Sequence, residues 1–137
     1  MLISSKGRYA LRIMLDLAQN GQQEYLSLKE VSERQDISLK YLENIVRMLH
    51  QSGLIQSLRG KNGGYRLVKA PQAYSIGEIL RATENGLKPV SCISPDDECT
   101  CDRAEACITL PLWQAIDHQL NAYLDSISLE DVLEEKL

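Results

Sequence analysis

The chain has 137 residues, a formal net charge of −4, six tyrosines, one tryptophan and no phenylalanine. That length suits one domain with a modest core, and the lack of any run of about 18 apolar residues excludes a transmembrane helix. The opening MLISSKGRY lacks the charged-then-apolar order of a signal peptide, so a cytoplasmic chain with reduced cysteines is expected. Charge divides unevenly: residues 1–75 carry 11 Lys and Arg against 6 Asp and Glu, a net of +5, and residues 76–137 carry 4 against 13, a net of −9. A basic front half is the footprint of a polyanion partner. No Ser/His/Asp set, phosphate loop or paired-carboxylate site points to catalysis, so no enzyme is expected.

Tyr9, Ile13, Met14, Leu17 and Ala18 fall at helical spacing and predict a helix from about Ser5 to Gln19, ended by Asn20-Gly21. Ser27-Leu28-Lys29-Glu30 is a capping box opening a short helix to about Arg34. Gln35-Asp36-Ile37 breaks it, and Ser38 is a good N-cap for a third helix to about Gln51, with Leu39, Leu42, Val46 and Leu49 on one face and Ile45 widening it. Two helices across a three-residue turn outline a helix-turn-helix, a weak signal alone. A hairpin pattern directly after the third helix strengthens it. Gly53 is a C-cap candidate, Leu54–Leu58 alternates like a strand, Arg59-Gly60-Lys61-Asn62-Gly63-Gly64 is a glycine-rich turn, and Tyr65–Val68 is a return strand. A basic-tipped hairpin after a helix-turn-helix is a wing.

Pro71 precedes Ser75-Ile76-Gly77-Glu78, a second capping box for a helix to about Thr83. Thr109 is a cap candidate for a long helix with Pro111 in its first turn, where the missing N–H costs little. Leu112, Trp113, Ile116, Leu120, Tyr123, Leu124 and Ile127 mark a broad apolar stripe on it, suited either to folding back as core or to pairing with its copy. Reading two DNA half-sites requires a twofold protein, which favours the dimer. Ser128-Leu129-Glu130-Asp131 starts a short acidic terminal helix. The expected fold is mainly α: a winged helix-turn-helix over 1–84, a cysteine loop over 85–108, and a dimerisation helix with a C-terminal helix over 109–137.

On the third helix, Ser38, Lys40, Tyr41, Glu43, Asn44 and Arg47 lie where major-groove contact is possible. Asn44 suits adenine, Glu43 suits cytosine N4, and Arg47 or Lys40 suits phosphate or guanine. A carboxylate facing DNA is repelled by phosphate, so Glu43 either reads a base or excludes wrong sites; otherwise it is a solvated residue paired with Arg47 at i+4. In the wing, Arg59 and Lys61 supply charge, and Gly60 permits close backbone approach. Lys6 and Arg8 are further phosphate-contact candidates, and His50 and His118 stand alone on helices.

All four cysteines, Cys92, Cys99, Cys101 and Cys107, fall within sixteen residues of a polar, acidic stretch. Thiols there are ligands rather than packing residues. Four thiolates suit an iron–sulfur cluster and equally suit zinc. Spacings of six, one and five intervening residues are not a standard zinc pattern, so zinc ranks below an iron–sulfur cluster. A metal-free thiol or disulfide switch also stays open. The surrounding carboxylates are expected to raise the thiol pKa values and make the loop labile.

The segments SSKGRYAL, SLKEVSERQDISLKYLENIVRMLHQSGLIQSLRGKNGGYRL and YSIGEIL resemble the family of the iron–sulfur cluster regulator IscR, which includes the repressors NsrR and CymR. The similarity spans nearly the whole chain and is most specific in GLIQSLRGKNGGY. It implies a homodimeric bacterial transcription regulator, a repressor of palindromic operators, whose long C-terminal helices cross between subunits. In the IscR branch it implies a [2Fe–2S] cluster on three cysteines and a histidine. Cys101, Cys107 and Trp113 match that pattern and Cys92 matches its first cysteine, but the histidine position is Leu110, which cannot ligate iron. The resemblance therefore implies a site of Cys92, Cys99, Cys101 and Cys107, with Cys99 replacing the histidine. Some members recruit a carboxylate near position 8 of the partner's first helix; Arg8 closes that route here. Cluster occupancy would bias the placement of the two reading helices. The alternative is a CymR-like regulator of cysteine metabolism, governed by a partner enzyme or thiol oxidation without a cluster.

Overall fold

Three helices, a hairpin and three further helices are built around one core among the described residues of the computed structural model, 3–21, 24–93 and 101–137. Helix α1, Ser5–Asn20, buries Ile13, Met14 and Leu17 and is capped by Ser4, whose Oγ accepts the Gly7 N–H. Asn20-Gly21 ends α1 as expected, with the Gly21 N–H on the Leu17 carbonyl and Gly21 in the right-handed region at φ −77°. Helix α2, Leu28–Gln35, has the predicted reciprocal box: Ser27 Oγ accepts from Glu30 N–H at 3.2 Å, and the Glu30 carboxylate accepts from Ser27 N–H at 2.9 Å. Asp36, left-handed at φ 53°, turns the chain into α3, Leu39–Gln51, which buries Leu42, Ile45, Val46 and Leu49. At its end Ser52 is the cap residue and Gly53 follows in the left-handed region at φ 74°. Gly53 N–H meets the His50 carbonyl at 3.0 Å and Leu54 N–H meets Leu49 at 3.1 Å, a Schellman closure.

Strands β1, Ile55–Leu58, and β2, Gly64–Leu67, pair antiparallel with Ile55 opposite Leu67 and Leu58 opposite Gly64. Leu26 extends this sheet by exchanging both backbone bonds with Tyr65, at 2.8 and 2.9 Å. Gly64 makes that possible, because a Cβ there would overlap the Leu26 carbonyl. The wing is thus tied to the residues that enter α2.

Beyond a 3-10 turn at Pro71–Ala73, helix α4 spans Ile76–Thr83. Tyr74, fully buried, donates its hydroxyl to the Leu54 carbonyl at 2.6 Å and accepts from Val68 and Lys69 N–H at 2.9 and 3.3 Å. Ser75 caps α4 through Glu78 N–H, but the predicted second capping box is only half present. The Glu78 carboxylate binds Lys69 Nζ instead. The Ser75 backbone is meanwhile bridged to Ser128.

Helix α5, Leu110–Ser126, starts at Pro111 as expected, but Thr109 makes no side-chain cap. No α5 residue is fully buried. Leu124 packs on the core, and Arg81 grips Asp125 at 2.7 and 3.0 Å and Asn121 at 2.9 Å. Leu112, Ile116 and Tyr123 remain at least 40% exposed. Helix α6, Leu129–Leu133, carries a Ser128–Asp131 box and sends Leu129 into the core. The chain therefore comes back to the winged-helix body after α5. No helix among the described residues is long and apolar enough to cross a membrane.

A buried carboxylate braces α1 against α2. Asp16, 1% exposed, receives two nitrogens of Arg34, the shortest contact 2.7 Å, and Gln35 Nε2 at 2.9 Å. Hydrogen bonding to Asp16 raises the Arg34 pKa. Arg12 completes the cluster on the Gln35 side-chain and backbone oxygens. The brace fixes α2 just before the turn that launches α3.

Candidate nucleic-acid interface and cysteine segment

The amphipathic spacing that sends Leu42, Ile45, Val46 and Leu49 inward turns the opposite side of α3 to solvent. Ser38, Lys40, Tyr41, Glu43, Asn44 and Arg47 all line one open concavity of about 650 Å³. Arg47 Nη2 donates to Asn44 Oδ1 at 2.8 Å. Glu43 has no hydrogen-bond or ion-pair partner among the described residues, so the expected i+4 pair between Glu43 and Arg47 is not formed. Arg47 prefers Asn44, one turn back at i−3, and leaves a bare carboxylate on the exposed face.

Tyr41 differs from its neighbours. It is half-buried, its hydroxyl bonds Ser5 Oγ at 2.9 Å, and its ring meets Tyr9 edge-on at 5.5 Å. Ser5 and Tyr9 lie 36 and 32 positions upstream, and nothing in the local pattern of α3 announces them.

The wing tip carries Arg59, Gly60 and Lys61 exposed. Gly60 has φ 116°, a conformation side chains resist, and its carbonyl accepts Gly63 N–H at 3.0 Å to close the turn. A second hollow of about 420 Å³ lies where the wing residues Arg59 and Gly60 approach Ser27 and His50. His50 Nε2 and Ser57 Oγ share a hydrogen bond of 3.4 Å, and its ring stands edge-on to Tyr65. His50 therefore serves the base of the wing.

Cys92 and Cys107 are half-buried, Cys101 is exposed, and all three are free thiols; Cys99 lies outside the described residues. Cys107 Sγ and Thr109 Oγ1 are 3.3 Å apart, which is where the Thr109 hydroxyl goes instead of capping α5. That bond, with backbone bonding to Thr109 and the charge of Arg103, holds the Cys107 thiol below its ordinary pKa. The expected upward push does not prevail at Cys107, where the hydrogen bonds to Thr109 outweigh the raising effect of burial. Among the described residues no three His, Cys, Asp or Glu side chains converge on one point. The described thiols have the donor chemistry of an iron–sulfur or zinc site without its convergence.

A helix-turn-helix whose exposed face runs into a basic glycine hairpin defines a winged-helix DNA-binding protein. Comparison with known proteins carries this further. The Rrf2 family, described as an iron-dependent transcriptional regulator, matches residues 3–135, and the chain belongs to that family. The regulator IscR of Vibrio cholerae is 38% identical over 133 residues, 97% of this chain and 75% of IscR. Among solved structures, the global cysteine regulator CymR of B. subtilis shares 36% identity at a TM-score of 0.78, covering 98% of both chains. IscR of T. potens shares 33% identity at a TM-score of 0.76, covering all of this chain and 89% of that one. The protein is a DNA-binding transcriptional regulator and not an enzyme.

Proposed function

We propose that the chain represses transcription as a homodimer on a palindromic operator, with affinity set by a [2Fe–2S] cluster on Cys92, Cys99, Cys101 and Cys107. The observation that carries the DNA-binding geometry is the shared concavity lined by Ser38, Lys40, Tyr41, Glu43, Asn44 and Arg47 beside an exposed Arg59-Gly60-Lys61 tip. In this reading α3 enters the major groove. Asn44, pre-oriented by Arg47, meets adenine, and Lys40 takes phosphate or guanine. Glu43, with no ion pair among the described residues, rejects sites that offer no donor. Arg59 and Lys61 neutralise phosphates beyond the groove edge.

The exposed Leu112, Ile116 and Tyr123 of α5 are the surface a second copy covers, which spaces two α3 helices on two half-sites. When bound, an iron–sulfur cluster supplies a removable, redox-active group. The chain's own contribution is to order the segment between α4 and α5, and Arg81 with Asp125 and Asn121 joins those helices. Similarity to IscR supports this reading.

A second reading is thiol-based control or binding of a metabolic enzyme, as in a CymR-like protein. It is favoured by Cys92, Cys101 and Cys107, free thiols that do not converge among the described residues, with Cys101 exposed. Anaerobic purification with visible absorption, iron and sulfide analysis separates the two. The cluster reading expects colour with iron and sulfide in equal amounts. A colourless, iron-free protein that still binds its operator after reconstitution overturns it, and colourless stoichiometric metal indicates zinc.

A further inference from the structure

Glu84 ends α4 and begins the stretch that leads to Cys92. It forms no ion pair among the described residues. Instead its Oε1 accepts Ser4 N–H at 2.8 Å and Ser4 Oγ–H at 2.7 Å, across 80 positions of chain. Ser4 is the N-cap of α1, so the carboxylate also sits at the positive end of that helix dipole. The fit is close: a Cβ on Gly7 would overlap Glu84 Oε1. The next residue, Ser5, holds the Tyr41 hydroxyl at 2.9 Å, and Tyr9 one turn later abuts the Tyr41 ring. Tyr41 is the third residue of α3. Two hydrogen-bonded junctions, Glu84 to Ser4 and Ser5 to Tyr41, therefore connect the end of α4 to the start of the proposed reading helix.

We propose that Glu84 is a positioning residue for DNA reading, acting through the first residues of α1 on Tyr41. Tyr41 is itself a positioning residue rather than a base reader, since its hydroxyl is already engaged and its ring packed. The inference rests on α3 being the reading element. A charge-assisted junction of this kind matters because the Asp16 brace holds α1 further along the helix, whereas the contact with Glu84 fixes its first turn and so where Ser5 presents its hydroxyl. Glu84 is not among the residues lining the concavity, and the hydrogen bonds its carboxylate accepts among the described residues come from Ser4.

The test uses the full chain, an operator selected from random DNA, and fluorescence anisotropy. Glu84→Ala and Tyr41→Phe are each expected to weaken operator binding about fivefold, the scale of one well-formed hydrogen bond. The double variant should be no weaker than the weaker single, because both break one route. Glu84→Gln keeps an acceptor oxygen for Ser4 and should stay within about twofold of wild type. In the free protein, the 3-fluorotyrosine resonance of Tyr41, assigned with Tyr41→Phe, should shift in Glu84→Ala and hold in Glu84→Gln. Ser4→Ala, which removes one of the two bonds, serves if Glu84→Ala fails to fold and should shift that resonance too. Wild-type affinity in the Glu84 variant, additive losses in the double variant, or an unmoved Tyr41 resonance would overturn the proposal. If Asn44→Ala and Arg47→Ala leave operator binding intact, α3 is not the reading element; that outcome is separate from the resonance shift and overturns the DNA-reading role on its own.

Discussion

Tyr74→Phe removes one oxygen from the centre of the fold and leaves nearly everything else in place. The ring is fully buried, and Lys69 Nζ lies 4.7 Å from its centroid, a contact phenylalanine retains. What disappears is the donor to the Leu54 carbonyl and the acceptor for Val68 and Lys69 N–H. Leu54 is buried, so its carbonyl loses its partner without gaining water, a cost of about 1–3 kcal/mol. Val68 and Lys69 are exposed and their amides turn to solvent, adding little. The expected destabilisation is about 2 kcal/mol, or a fall in Tm of roughly 6–10 °C for a chain of this size.

The same substitution carries a pH signature. Burial raises the Tyr74 phenol pKa above its ordinary value of 10.0, so the folded state favours the neutral phenol. That contribution is complete below pH 10 and is lost as pH rises from the unfolded pKa through the folded one. Thermal melts from pH 8 to 11 should therefore show wild type losing more stability above pH 10 than Tyr74→Phe does. A Tm within about 2 °C of wild type at pH 7, or parallel losses at high pH, would refute the central role of this hydroxyl.

Arg59→Ala should weaken operator binding and lower the salt slope by about 0.9, the value for one phosphate contact; an unchanged slope in a titration from 50 to 200 mM salt removes Arg59 from the interface. Glu43→Ala should admit sites that wild type rejects with little change at the best operator, read by binding to a randomised DNA library, and uniformly weaker binding at every site would contradict the selective role. Ile116→Asp places a charge on the exposed face of α5 and should convert a dimer to monomer by light scattering; a monodisperse dimer at micromolar concentration would show that this face is not the interface. Asp16→Ala strands the Arg34 guanidinium and Gln35, and should cost about 2–3 kcal/mol in urea unfolding, below the 3–5 of a fully buried pair because Arg34 is 36% exposed.

Local chemistry made much of the fold legible. The Ser27–Glu30 box, the apolar face of α3 and the glycine-rich wing are all written in neighbouring residues, and the structure forms them. The six side chains on α3 follow from helical periodicity alone, which is why they share one concavity. Departures arise where a partner from elsewhere outcompetes a local motif. Glu78 leaves its box for Lys69, Thr109 turns to Cys107 rather than capping α5, and Arg47 takes Asn44 in place of Glu43. The Asp16–Arg34 brace and the Glu84–Ser4 contact join residues 18 and 80 positions apart. No spacing rule reaches that far, and a lone carboxylate in sequence gives no sign of the hydroxyl it will meet.

Coupling between the cysteine segment and an operator read by α3 and the wing is the property on which the proposed function stands or falls. Operator affinity should be measured for a single anaerobic preparation, half reconstituted with iron and sulfide and half stripped with chelator under reducing conditions. A coupling of about 1–3 kcal/mol is typical of such linkage, and the two halves are expected to differ by about tenfold or more, with the difference abolished in Cys107→Ala. Equal affinity in the loaded and stripped halves would contradict it.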